Sequence, residues 1–523
     1  MKSFVGGYKI KQSGNLYYLM FCVALLPILL LRDFTPDNEL RYLSIADEAL
    51  RHHTFFTFTN HGAVYADKPP LYFWFVMLGK WLLGAHRMWF LSLASLIPAL
   101  VIIRTMDKWV STEMDQEIRS LAQMMLLTAG LFAGLAVTLR MDMLMCMFIV
   151  LALRTFYRMY TSPDINKAVA WQFPIYIFLA VFSKGMVGLL VPLCSTLVFL
   201  LWTGKIKQFE RYWGLRTWCV LIVGFLLWFS AVYAEAGKEY LNNLLFHQTI
   251  DRAVNSFHHK APFYYYGISV WYSIAPWSLL IIGLLVAAAT RKLYATDLQR
   301  FFCSVFISTF VMLSCISSKL QVYLLPAFPF AVYLAALYLE RFKRTTWLNL
   351  LFIITAALFM VVLPVGLFAL SLESTVYLRH PAVYIAAFAM TLTGIWALWN
   401  RFRMKRSLAS GLRALAMGLT CTLFIGGWSL PALNPWIGYK ALCRASLDMA
   451  REKKTDRIAV WKVRRPDNMD VYLGQPVDVI ETPDVKEVCS HHHTVLMVRQ
   501  RDLKYFNVEK ASIVGPFAVV YLK

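Results

Sequence analysis

Apolar residues along this chain gather in runs of about 17–22, the length a helix needs to cross a bilayer core, and short polar segments separate the runs. About thirteen runs predict membrane-spanning helices, near 15–31, 88–103, 120–137, 141–157, 168–183, 185–202, 216–235, 268–288, 301–316, 322–339, 346–371, 381–399 and 410–430. Between the first two, the pattern changes. Leu40, Leu43, Ala46 and Leu50 recur at helical spacing behind Pro36, with Asp37 and Glu39 in the first turn, so an amphipathic helix is expected to lie along the membrane surface. A second amphipathic stretch runs through Trp74, Lys80 and Trp81. Beyond residue 434 the long runs stop, and the pattern suits a helix at 436–452 and strands at 457–463, 471–481, 494–500 and 512–522. The expected architecture is a polytopic α-helical membrane body, residues 1–433, followed by a small C-terminal α/β domain, residues 434–523.

Composition agrees with that reading and narrows it. Hydrophobic residues make up 59% of the chain and charged residues 16%, against about 25% charged in soluble domains, which excludes an ordinary soluble enzyme. The 15% aromatic content excludes a disordered chain. A net charge of +22 would suit a nucleic-acid binder, but the placement of the charge argues otherwise. Lysines and arginines crowd the connections that follow the even-numbered runs, among them Arg104, Lys108 and Arg119, then Arg154 and Arg158, then Arg401, Arg403, Lys405 and Arg406. By the positive-inside rule these connections are cytoplasmic, so the basicity reports topology and no nucleic-acid partner is expected. Lys2, Lys9 and Lys11 place the N-terminus on the same side, and Leu26 to Asp33 offers no small-residue cleavage site, so the first run is expected to stay as an anchor. An odd number of spans then puts the C-terminal domain outside, together with the loops 32–87, 236–267 and 317–321.

Seven of the nine cysteines sit in or beside apolar runs, where they read as small core residues. Cys443 and Cys489 lie in the outer domain, where an oxidising compartment permits a disulfide. His491, His492 and His493 imitate a metal site, yet three consecutive histidines converge poorly on one ion, and a solvated loop is expected.

The chemistry-bearing residues collect on the outer face. Asp142 enters an apolar run, which costs several kcal/mol unless the carboxylate is paired or functional; Arg140 is the nearest partner. Lys68 precedes two prolines, while Lys184, Lys319 and Tyr323 occupy other outer turns. Interfacial snorkelling explains any one such lysine, but their recurrence on the less basic face calls for more. The second outer loop adds His247, Asp251, Arg252, His258, His259 and Lys260 ahead of the aromatic run Phe263 to Tyr266. Cations followed by aromatics suit an anionic head group whose tail enters the bilayer. Asp37 and Glu39 either cap their helix or present carboxylates to a reacting group.

These residues resemble the aminoarabinose transferase (ArnT) and protein O-mannosyltransferase superfamily of GT-C glycosyltransferases. The resemblance rests on Pro36-Asp37-Asn38-Glu39-Leu40-Arg41-Tyr42, Tyr65-Ala66-Asp67-Lys68-Pro69, Asp142, Lys184-Gly185 and Lys319-Leu320-Gln321-Val322-Tyr323, with the run His258 to Tyr266 in the second loop. It extends over the whole membrane body and the outer domain. One departure stands out: Asn38 occupies the position of the family's aspartate, and Asp37 lies one residue upstream. The resemblance implies a GT-C fold in a bacterial inner membrane, with the loops 32–87 and 236–267 forming the active site. It further implies transfer of a sugar from a polyprenyl (undecaprenyl) phosphate to an outer-leaflet lipid or glycan acceptor, lipid A among them, with inversion and no covalent intermediate. Asp37, Glu39 and Asp142 are the expected catalytic carboxylates. Arg41, Tyr65, Lys68, Lys184, Arg252, Lys319 and Tyr323 are the expected donor-phosphate ligands. A divalent ion near Asp67, completed by His247, His258 or His259, is conceivable within the family but not expected to be essential, and no cofactor is expected. Two other classes compete: a transporter or lipid flippase, which would place ionisable groups near the bilayer midplane, and a noncatalytic envelope assembly factor.

Overall fold

The computed structural model describes residues 14–162, 167–245, 260–506 and 511–522; Arg252, His247, Asp251, His258 and His259 lie outside the described residues. The first described element is α1 (Gly14–Leu31), after which the chain turns by 71° into the helical stretch Pro36–His52. That stretch opens with a wide turn at Pro36–Leu40 and continues as α2 (Arg41–His52). A short hairpin, β1 (Thr59–Asn60) and β2 (Ala63–Val64), leads to α3 (Leu71–Leu83). Then come α4 (Met88–Trp109), α5 (Gln116–Leu127), α6 (Gly130–Leu135), α7 (Asp142–Thr161), α8 (Lys167–Lys184) and α9 (Val187–Trp202). After α10 (Phe209–Trp213) and the long α11 (Leu215–Asn242), the helices Tyr265–Ser273, Ser278–Thr290, Asp297–Cys315, Phe328–Phe342, Thr346–Met360, Val362–Ser371, Pro381–Leu398 and Leu408–Gly427 complete the bundle.

The protein is a multi-pass membrane protein. Every expected span coincides with helix, but the count of thirteen spans is not reproduced. Among the described residues eight helices are long and apolar enough to cross a membrane, or nine if α1 and Pro36–His52 form one bent span. The run 120–137 is divided between α5 and α6, and 268–288 is divided around Pro276, whose ring cannot supply a helical N–H. α9 is only 16 residues long. Burial orders the bundle: the span Gln321–Phe342 is 89% enclosed, whereas Leu215–Leu245 and Thr346–Ser371 are 22% enclosed and present their leucines and valines outward.

α2 is packed on two sides: Leu43, Ile45, Ala46 and Ala49 share a cluster with Val76 and Met77 of α3, and its other side meets the C-terminal domain. There Ser44 donates to Asp470 Oδ2 at 2.8 Å, and Asn468 donates to the Pro36 carbonyl at 3.0 Å. Asp33 is the larger anchor. It accepts from the Phe34 N–H at 2.8 Å, the Lys440 N–H at 3.0 Å and the Tyr472 hydroxyl, while Asn434 brackets it by accepting from the Asp33 N–H and donating to the Leu31 carbonyl. Gly438 permits this approach, since a Cβ there would stand 2.3 Å from Asp33 Oδ2.

The C-terminal domain carries a five-stranded sheet ordered β4-β3-β5-β7-β6, with β3 (Ile458–Trp461), β4 (Asp478–Ile480), β5 (Thr494–Arg499), β6 (Ala511–Val514) and β7 (Phe517–Leu522). β4, β3 and β5 run parallel; β7 and β6 close the sheet as an antiparallel hairpin. The stretch 471–481, expected as one strand, splits into the helical turn Asp470–Leu473 and β4, while 512–522 folds back on itself at Gly515. Strand alternation sends Ile458, Val460, Val495 and Met497 toward helix Lys440–Lys453 and the membrane body, and Ala459, Trp461, Leu496 and Val498 toward Val485–Cys489. Cys443 packs on the first face and Cys489 on the second, so the permitted disulfide does not form and both thiols are free. Maleimide labelling of the unreduced, denatured protein is accordingly expected to modify all nine cysteines; a mass short by two labels would contradict this arrangement.

Candidate functional site

The site is built where α7 begins, α8 ends and the loops between α2 and α3 fold over them. Glu39, fully buried, is the innermost charge. Arg32 Nη1 and Nη2 each donate to it at 2.7 Å, the Thr35 N–H and hydroxyl add bonds of 2.8 and 3.0 Å, and the Leu139 N–H donates at 2.9 Å. Every lone pair is engaged. Glu39 therefore works as a tie between the end of α1 and the segment leading to Asp142, rather than as a carboxylate facing a substrate. Arg32 was not singled out by the sequence; its only sign there is an arginine closing an apolar run seven residues before an acid.

Asp142 is the second buried carboxylate, 1% exposed at the first position of α7. Arg140 Nε donates to Oδ2 at 3.1 Å, and the Lys184 ammonium, arriving from the end of α8, binds Oδ1. Lys184 also lies 4.4 Å from the centroid of the Tyr323 ring. Lys68 is a charge neighbour of Lys184 and pairs with Asp67 at 3.3 Å. The Tyr65 hydroxyl donates to Asp67 at 3.3 Å, and Arg41 extends over the Tyr65 ring at 5.8 Å. Lys319, 5% exposed, donates to the Ile316 carbonyl at the end of helix Asp297–Cys315, where the helix dipole favours a cation. The Tyr266 hydroxyl donates to the Leu320 carbonyl, and Lys260 pairs with Ser318 as an isolated bridge, so the second loop's described end reaches the same turn.

The structure thus brings Asp142, Lys184, Tyr323 and Lys68 together, with Tyr65 and Arg41 alongside and Lys319 on the turn that carries Tyr323. It separates Asp37, which swings to the C-terminal domain and pairs with Arg464 at 3.0 Å. Asn38 faces the site instead, accepting from Arg41 at 3.0 Å. Arg41, Lys68, Arg140, Lys184 and Lys319 outnumber the carboxylates Asp67 and Asp142, so the cluster carries net positive charge. Tyr72 was also missed by the sequence reading. It is fully buried, its hydroxyl has no hydrogen-bond partner among the described residues, and burial, reinforced by Tyr42, Glu39 and Asp142, holds its phenol well above the ordinary tyrosine value.

Two clamps hold the covering loop. Glu235, near the end of α11, accepts from the N–H groups of Phe55, Phe56 and Thr57 at 2.7, 2.8 and 2.6 Å. The Tyr240 hydroxyl accepts from the Phe58 N–H and donates to the Tyr65 carbonyl, both at 2.9 Å. Among the described residues no group of three or more His, Cys, Asp and Glu side chains gathers as a metal site.

No protein-family model matches the chain. It is 26% identical over 383 residues to the undecaprenyl phosphate-alpha-4-amino-4-deoxy-L-arabinose arabinosyl transferase of Yersinia pestis (strain Pestoides F), a match covering 68% of this chain and 66% of that relative. The identity to the protein of the same name from Pseudomonas savastanoi pv. phaseolicola is 25% over 433 residues, covering 82% and 76%. Among solved structures, ArnT from Cupriavidus metallidurans bound to undecaprenyl phosphate superposes with a TM-score of 0.76 over 97% of this chain and 98% of that one, at 19% identity. Its apo state superposes with a TM-score of 0.74. The chain has the GT-C fold, and the resemblance read from its motifs is met in both comparisons.

Glu39 and Asp37, one buried and one partly exposed, are expected to fail differently. Glu39→Ala strands a buried arginine and should cost about 3–5 kcal/mol of stability, read as a large drop in apparent Tm in detergent. Asp37→Ala removes a solvent-facing pair worth about 0–1 kcal/mol and should leave Tm nearly unchanged.

Proposed function

We propose that this protein transfers a sugar from a polyprenyl phosphate to an acceptor at the outer surface of a bacterial inner membrane, with lipid A the foremost acceptor. The observation that carries this reading is the cation cluster around Asp142. A departing polyprenyl phosphate is an anion tethered to a lipid tail; Lys184, Arg140 and Lys319 stand at helix ends where such a head group would lie, and Lys68 joins them from the covering loop. Well-placed donors aimed at developing charge supply roughly 3–4 kcal/mol each. The similarity to the arabinosyl transferases, and the shared fold with an ArnT that binds undecaprenyl phosphate, support the same donor class.

The carboxylates refine the acceptor. Glu39 is saturated, Asp142 holds two cations, Asp37 turns away and Asp67 pairs with Lys68. None of the four stands ready to take a proton from a neutral hydroxyl, and general base catalysis needs such a group within reach. A phosphate acceptor requires none. In the proposed step its anionic oxygen forms the bond to the anomeric carbon as the carbon–oxygen bond to polyprenyl phosphate breaks. The electron pair leaves with that phosphate, into the cations, and the configuration inverts. Asp142 orients Arg140 and Lys184 for this task, and Tyr65 and Arg41 line the side on which the sugar enters. With the negative charge met by side chains, no divalent ion is required in this scheme.

In this reading the N-terminus is cytoplasmic and the C-terminal domain is periplasmic, which the positive-inside rule supports through the basic connections in the sequence. A flippase reading is disfavoured because the ionisable cluster sits at helix ends. Mass spectrometry of lipid A from a deletion strain complemented with variants tests the proposal. Wild type should restore one added sugar, whereas Asp142→Asn, Lys68→Ala and Lys319→Ala should each lower transfer about 10²–10³-fold. Purified wild type should also ignore an acceptor stripped of its phosphates. Full modification by well-expressed Asp142→Asn would overturn the assignment.

A further inference from the structure

A cavity of mixed polar and apolar lining opens beside Arg32, and none of the residues discussed as donor ligands lines it. Its volume is about 590 Å3, and its walls are the end of α1, the turn between α3 and α4, and the C-terminal domain at Lys440 and Tyr472. Three features of its lining point to an anion. His86 is 6% exposed; its Nε2 lies 2.6 Å from Asp47 Oδ1, and its Nδ1 has no hydrogen-bond partner. α4 starts here, with Met88 and Trp89 in the wall. The first N–H groups of a helix have no intrahelical acceptor and carry the positive end of its dipole. Arg87 and Lys440 are exposed at the rim and pair with no carboxylate among the described residues.

The acids of the cavity are already engaged. Asp47 binds Lys80 and His86, each at 2.6 Å, and Asp33 is taken by Tyr472 and two backbone N–H groups. What remains is positive. The other side of the cavity is apolar and open: Leu30 is 61% exposed on α1, and Trp89 is 43% exposed, which suits a membrane interface.

From these observations we infer a second binding site, for the phosphate of a membrane lipid head group, seated on the α4 N-terminus between His86, Arg87 and Lys440 with its acyl chains along Leu30 and Trp89. His86 Nδ1 is the buried, unpartnered polar atom of this lining. Such a lipid bridges the membrane body and the C-terminal domain, and its binding is independent of the sugar-transfer reading.

Native mass spectrometry of the full-length protein in detergent tests this, with added phosphatidylglycerol compared with phosphatidylcholine. Wild type should retain phosphatidylglycerol, and Arg87→Glu/Lys440→Glu should retain at least fivefold less, while the charge-matched control Lys486→Glu/Arg501→Glu should match wild type. If the charge reversal lowers Tm, the milder Arg87→Gln/Lys440→Gln pair carries the comparison and should show a smaller loss of the same sign. Equal retention by all forms, or equal retention of the two lipids, would overturn the site. Competition by inorganic phosphate as effective as that by phosphatidylglycerol would overturn its assignment to a lipid.

Discussion

A carboxylate sealed away from water organises the site end of this bundle. Glu39 accepts two guanidinium bonds from Arg32, two from Thr35 and one from the backbone of Leu139. A buried charge is tolerable only when its hydrogen-bonding capacity is filled, and here the filling groups come from two distant stretches of chain, Arg32–Thr35 and Leu139. Because Leu139 is one of them, the position of Asp142, three residues on, is set by the same tie. Around Asp142 the balance reverses, with more cations than acids and partial access from the loop side. An inner, satisfied ion pair thus carries an outer, unsatisfied one.

The covering loop obeys the same logic. Backbone N–H groups at Phe55 to Thr57 find Glu235, and the Tyr65 carbonyl finds Tyr240. Both partners belong to the stretch around Gly237, whose φ of 74° breaks the run of α11; only glycine takes that conformation at no steric cost. The break turns the chain past Glu235, so one span clamps the first loop and leads into the second.

Much of this was legible in the sequence. Asp142 was visible because an acid in an apolar run demands a partner, and Lys184 because a lysine on the less basic face lacks a topological reason. Glu39 was visible as a residue but not in its role. Its donors lie seven residues upstream and a hundred downstream, and a single sequence does not record which way a side chain points at the end of a helix. The same limit concealed Asp37, which faces Arg464 across 427 positions of chain, and Asn38, whose neighbour is decided by the wide turn at Pro36–Leu40. Hydropathy located each span but not the breaks near Gly130 and Pro276, because a window average does not register one residue that interrupts a hydrogen-bond ladder. In the C-terminal domain, alternation located the strands, whereas the placement of Cys443 and Cys489 on opposite faces depended on which helix covers which side.

The earliest and latest parts of the bundle are neighbours. Tyr17 on α1 shares a hydrogen bond of 3.0 Å with Thr420, 403 positions away, and Asn434 caps the Leu31 carbonyl. At about 5–20 residues per second of translation, Tyr17 therefore waits on the order of 20–80 s for Thr420 to leave the ribosome. Throughout that interval the tyrosine and the terminal carbonyls of α1 must be shielded by lipid head groups or by the insertion machinery. A chain released before Thr420 would leave the first helix held by α4 and α5 alone, without the polar partner its tyrosine finds in the complete bundle.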